Sequence, residues 1–227
     1  MAFPLTPDET EALLLSLRVS TVAVFSGLPF ALALALFLAR VRFPGKIVVD
    51  GIVHLPLVLP PVAIGFLLLV LFGTREGPGA WLYQTFGIRF VFSWTGAVLA
   101  SSLITLPFQV RAIRLALESA DPGLDLAART LGAGWWDRLA TVTLPLAVPG
   151  IVAGAITAFA ASLGEFGAII TFVSNIPGET RTLPLAIYSA LQSPGGEAEA
   201  ARLSLISIVL ALVFMTLAEL AQRRLKR

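Results

Sequence analysis

The sequence predicts an all-α membrane protein with five transmembrane helices, its N-terminus outside the cell and its C-terminus inside. Three observations lead there. Only 13% of the 227 residues are charged and 57% are hydrophobic, with a mean hydropathy of +0.88, whereas soluble domains carry about 25% charged residues. Five apolar runs, 13–39, 47–72, 94–117, 145–172 and 203–222, meet the roughly 20 residues that a bilayer core demands. Basic residues collect on one side of those runs. Arg40, Arg42, Lys46, Arg111, Arg114, Arg129, Arg138, Arg223, Arg224, Lys226 and Arg227 make 11 of the 16. Lys and Arg mark cytoplasmic loops. The opposite side holds Arg75, Arg89, Arg181 and Arg202, diluted by Glu76, Glu179, Glu197 and Glu199.

The first run carries Arg18 near its outer end and follows an acidic segment, which lacks the basic start of a signal peptide. The second run contains His54, Pro56, Pro60, Pro61 and Gly65. Prolines remove backbone donors, and a broken ladder is tolerated at membrane depth only where protein or a water-filled cavity covers it. Pro60 and Pro61 are therefore candidates for a pathway, with a kinked packing helix as the alternative. His54 is expected to be a satisfied polar group near the cytoplasmic end. In the third run Ser101, Thr105 and Gln109 recur every four residues and share a helix face. Hydroxyls can line a pathway or join membrane helices, and both readings stay open. In the fourth run Ser162 and Glu165, three apart, are expected to share a face; Glu165 is the acid deep within a run, a candidate for substrate contact or for helix capping. Residues 183–191 are apolar but too short to span, and are expected to form a re-entrant or surface helix on the outer side. The whole of 1–227 reads as one membrane domain.

Composition excludes several chemistries. There is no cysteine, hence no disulfide and no thiolate site, and a single histidine cannot build a His-cluster metal site. No catalytic or metal residues are assigned. No Walker A motif is present: Gly45-Lys46 is followed by Ile47 and lacks the upstream glycine. No cofactor is expected on this chain, and no nucleic-acid partner. A membrane-embedded enzyme would need clustered Asp, Glu or His within the runs, where only Glu165 stands.

Residues 121–146 are the longest polar interruption. Asp121-Pro122-Gly123 is a turn that can open a helix, Ala127, Ala128 and Arg129 favour one, and Gly132 and Gly134 break it. The expected form is a short helix, a bend and a second short helix on a membrane surface, with 121–144 as a cytoplasmic loop. Its spacing resembles the EAA loop of ABC-importer permeases: Ala127-Ala128, then Gly132, then Val142, Leu144 and Pro145. One position departs, since Leu126 stands at the acidic site and Asp125 lies one residue earlier.

Further stretches resemble the molybdate-permease family of that superfamily. They are Phe43-Pro-Gly-Lys46, His54-Leu-Pro-Leu-Val-Leu-Pro-Pro61, Ser162-Leu-Gly-Glu-Phe-Gly-Ala168 and Phe172-Val-Ser-Asn-Ile-Pro-Gly-Glu-Thr-Arg-Thr182. Gly-Glu-Phe-Gly and Asn-Ile-Pro are shared in part with sulfate permeases. Some relatives carry an extra N-terminal helix, for which this chain is expected to have no room. The resemblance implies a type I ABC-importer fold and a homodimer in the bacterial inner membrane. It also implies two cytoplasmic ABC ATPase subunits that hold ATP and Mg2+, and an extracytoplasmic molybdate-binding protein. It points to coupling through Asp125, Leu126, Ala127, Ala128, Arg129 and Gly132: Leu126, Ala127 and Ala128 in a groove of the ATPase, Asp125 and Arg129 at its rim. Sulfate, thiosulfate or another oxyanion is the alternative cargo; a membrane enzyme or a channel is the alternative class.

Overall fold

A computed structural model describes residues 5–41 and 43–225. The described chain is helical, with no strand among the described residues. Helix α1, Pro7–Arg40, starts two turns before the predicted run because a capping box precedes it. The Thr6 amide donates to Glu9 Oε2 at 2.8 Å, and the Glu9 amide donates to Thr6 Oγ1 at 3.3 Å. These bonds satisfy amides that a helix end otherwise leaves open. At 34 residues α1 is about 51 Å long, more than the roughly 30 Å hydrocarbon core.

The second run is broken more sharply than a kink. Helix α2, Lys46–His54, passes into a 3-10 turn at Leu55–Leu57, and α3, Pro61–Phe72, leaves at 105° to it. Pro56, Pro60 and Pro61 cannot donate, so no continuous ladder crosses this segment. The described residues therefore hold four long apolar helices, or five spans if the bent pair is counted as one. After α4, Gly77–Phe86, comes α5, Trp94–Ser119. It begins at the Ser93 cap and continues through Pro107.

Helix α5 is the axis of the bundle, packed between α1 and a long fourth helix. That fourth helix corrects the predicted run of 145–172 at both ends. A single apolar rod covers Trp135–Leu163: α7, Trp135–Arg138, continues through a π-helical stretch, Leu139–Thr143, into α8, Leu144–Leu163. Pro145 lies inside the rod, directly after the π-helical stretch, and the helix continues through it. Thus 121–144 is not wholly a surface loop. The rod ends at Gly164, and a separate helix, α9, Gly167–Val173, turns away to pack on α3.

Glycine allows the two closest crossings. A Cβ at Gly154 would lie 2.9 Å from Gln109 Cα, and one at Gly65 would lie 2.6 Å from the Ala168 carbonyl oxygen. Small residues permit such approach in membrane bundles. Helix α10, Leu183–Gln192, is the predicted short apolar helix; it buries Leu183, Leu185, Ala186 and Ala190 against the rest. Helix α11, Glu197–Leu225, packs beside it and starts before the predicted 203. Its second turn is tied to α1, where Arg202 Nε donates to Glu9 Oε1 at 2.8 Å. Much of its outer face, including Leu205, Ile208, Leu212 and Met215, is exposed.

Candidate functional site

Between α5 and α7 lies α6, Pro122–Thr130. Asp121 caps it, Oδ1 accepting from the Gly123 amide at 2.8 Å, with Pro122 at the first helical position. Its far end is a Schellman closure. The Ala133 amide donates to the Ala128 carbonyl and the Gly132 amide to the Arg129 carbonyl, each at 3.0 Å. Gly132 supplies the left-handed residue this closure needs, at φ +84°. The predicted helix and bend are therefore present, and both ends of the helix are closed by its own residues.

What holds α6 in place is Asp125. Arg138 Nη1 donates to both of its carboxylate oxygens at 3.0 Å. Arg129 Nη2 lies 3.0 Å from Oδ2, and Arg40 Nη1 lies 3.4 Å from Oδ1. Arg40 also donates through Nη2 to Thr143 Oγ1 at 2.7 Å. One carboxylate thus joins the end of α1, helix α6 and the start of the long rod. The Arg138 and Asp125 side chains are only 13% and 21% exposed, so this pair is less screened than a surface ion pair. Asp125 is turned inward to the bundle. Arg129 is legible as a partner, four residues on along the same helix, but nothing in the sequence shows Arg40, which is 85 residues from Asp125. The nearest hint was that Arg40 and Arg138 belong to the same charge cluster.

Turned the other way is an apolar surface. Leu126 is 64% exposed, Leu131 87% and Trp136 75%, with Leu124 and Trp135 also open. Ala127 is exposed and Ala128 half-buried. Exposed apolar groups concentrated in one short polar segment mark an interaction site. A second polar tie stands at the foot of α5. Arg114 donates through Nη1 to Asp50 Oδ1 and through Nε to Glu118 Oε1, each at 2.7 Å. His54 Nδ1 donates to the Asp50 carbonyl at 2.8 Å, as expected of a satisfied polar group.

The other candidate residues are dispersed. Pro60 and Pro61 stand at the 105° bend, beside exposed Val58. Pro61 packs against Gly167, where an added Cβ would lie 2.9 Å from its own Cβ. Ser101 and Thr105 are fully buried on the packed side of α5, and Thr105 Oγ1 donates to the Ser101 carbonyl at 2.7 Å. Gln109 on the same face donates to the Val24 carbonyl of α1 at 3.3 Å. Ser162 is buried in the last turn of α8. Ser162 and Glu165 do not share a helix face, because Glu165 lies past the end of that helix. Its Oε1 accepts from the Ala168 amide at 2.8 Å and caps α9.

Residues 27–227 match the family model described as binding-protein-dependent transport system inner membrane component, and the chain belongs to that family. It is similar to the molybdenum transport system permease protein ModB of Escherichia coli (strain K12). The two are 58% identical over 215 residues, covering 95% of this chain and 94% of that one. The ModB protein of Haemophilus influenzae (strain ATCC 51907 / DSM 11121 / KW20 / Rd) is 52% identical over 219 residues, with 96% of each chain covered. The fold is also that of a solved bacterial ABC transporter involved in the import of the acidic polysaccharide alginate. Here the TM-score is 0.77 and the identity 23%, over 98% of this chain and 82% of that chain.

Proposed function

We propose that this chain is the membrane-spanning subunit of an ATP-driven importer of molybdate, with tungstate as a second cargo of nearly the same size and charge. The observation that carries this reading is the 58% identity to a molybdenum permease along nearly the whole chain. Two copies form the membrane unit, and a binding protein delivers the oxyanion from outside. Two ATPase subunits dock on the cytoplasmic face and hold ATP and Mg2+. Leu126, Ala127 and Ala128 enter the ATPase groove, and Arg129 stands at its rim. Asp125 contributes by holding α6 to Arg138 and Arg40. When the ATPases close, α6 moves, and the rod of α7 and α8 moves with it.

Passage is by alternating access past the bend at Pro60 and Pro61. Neutral hydroxyls and backbone amides can hold a dianion without trapping it. Ser101, Thr105 and Ser162 are buried on packed helix faces in this conformation, and the role of Glu165 is to cap α9. The test is ATPase activity and uptake in vesicles reconstituted with the ATPase and a loaded binding protein. Molybdate- or tungstate-loaded protein stimulates both. Stimulation by sulfate-loaded protein alone would move the assignment to a sulfate permease.

A further inference from the structure

We infer that the groove between α1 and α5 is a binding site for one anionic phospholipid. On α1 the residues Arg18, Val22, Ser26 and Phe30 follow at intervals of four, one stripe along the helix. On α5 the stripe is Trp94, Val98, Ser102 and Leu106. The two stripes run in the same direction, pinned at two levels. The Arg18 guanidinium carbon lies 3.8 Å from the centre of the Trp94 ring, and the Ser26 and Ser102 hydroxyls are 3.1 Å apart. Between Trp94 and Leu106 the walls enclose a groove of about 380 Å³. That is the size of a small-molecule site.

Three features select the occupant. The groove walls are almost wholly apolar, and Phe30, 68% exposed, lies open beside them. From Arg18 to Phe30 the stripe is about 18 Å long at 1.5 Å per residue, close to the roughly 15 Å depth of one leaflet. At its outer end stands a cation that no acid pairs with among the described residues. A guanidinium stacked on an aromatic face keeps its donor edge free for a planar, two-bond contact with phosphate. Trp94 is the first residue of α5, and tryptophan at the end of a span is suited to the head-group layer. A phospholipid satisfies all three at once, its phosphate on Arg18 and one acyl chain along Val22 and Val98. A phosphatidylglycerol head group leaves the phosphate charge uncompensated for Arg18, whereas the choline cation of phosphatidylcholine partly neutralises it. This inference does not depend on which oxyanion is carried.

The four tryptophans are Trp81, Trp94, Trp135 and Trp136. With Trp81→Phe, Trp135→Phe and Trp136→Phe in place, Trp94 alone reports on the groove of the full chain in vesicles. Phosphatidylglycerol and phosphatidylcholine, each brominated on the acyl chain, are compared as quenchers at equal mole fraction. Phosphatidylglycerol is expected to quench at least twofold more. Arg18→Gln brings the ratio to one, Arg18→Lys restores part of it, and Arg89→Gln leaves it unchanged. Equal quenching by the two lipids, or a preference that survives Arg18→Gln, overturns the inference. So does an absence of quenching by either lipid, which would mean that a second copy of the chain covers the groove.

Discussion

Asp125 bears more of this structure than any other single side chain, since three guanidinium groups from three parts of the chain converge on it. Asp125→Asn leaves Arg138, itself mostly buried, facing an amide. Loss of one partner from such a pair costs about 1–3 kcal/mol, and the cost falls on the docking of α6. Limited trypsin digestion in membranes should therefore cut after Arg129 faster in Asp125→Asn, with Asp125→Glu between it and the parent. An unchanged rate would show that the network does not hold the helix. Gly132 works through backbone geometry alone: its φ is +84°, and an added Cβ would meet nothing within 4 Å. A side chain there costs about 1–2 kcal/mol, least for Asn and most for a branched residue. Gly132→Val and Gly132→Arg should stay inserted in the membrane, yet bind the ATPase less well or take up less substrate per ATP hydrolysed; Gly132→Asn should be milder. Both ratios at parental values in Gly132→Arg would remove this segment from the coupling path.

At the scale of elements, no helix of the site stands alone. Helix α6 has nine residues, too few for stability in water, so its caps and Asp125 supply what its length does not. The α5–α8 crossing shows the opposite case, two long helices held by absent side chains. Gly154→Leu must push against the backbone at Gln109, 2.9 Å from the new Cβ. Overpacking of this kind costs about 1–3 kcal/mol, more where backbone must move. The melting temperature in detergent should fall clearly. Gly51→Ala, at a helical position with nothing within 4 Å, should leave it unchanged or raise it, since Ala is the better helix former by roughly 1 kcal/mol. A Gly154→Leu protein as stable as its parent would mean that the two helices are not pressed together.

For the whole molecule the question is which end faces which compartment. The ties of Arg40, Asp125 and Arg138 gather the basic residues at one end, and Glu9 with Arg202 marks the other. The positive-inside rule predicts that the first end is cytoplasmic. The chain has no cysteine, so single cysteines can be introduced without background. Thr85→Cys should react with an impermeant thiol reagent from outside, and Ala133→Cys only after the membrane is opened. The reverse pattern would invert the topology and remove α6 from the cytoplasm. Leu212, Met215 and Leu220 on α11, and Phe66 and Val70 on α3, are all more than half exposed. A surface so apolar is stable only against lipid or a second subunit.

Composition and periodicity alone determined that this is a helical membrane protein, where its long apolar elements lie, and that 121–146 is its longest polar interruption. These properties are local: twenty apolar residues, a Pro after an Asp cap, or a glycine at a helix end act on the few residues around them. The bend at Pro60 and Pro61 was legible for the same reason, but its angle was not. The tertiary structure alone decided the rest. Asp125 reads as a rim residue from its place in the motif, yet it faces inward, because two arginines distant in sequence meet it there. Ser162 and Glu165 read as one face because they are three apart, yet the helix ends between them, because Glu165 caps the next one. Ser101 and Thr105 read equally as pathway or packing from their spacing, and only the packing of α5 shows that both are buried. In each case the outcome depended on which helices meet, and a one-dimensional pattern does not encode such long-range contacts.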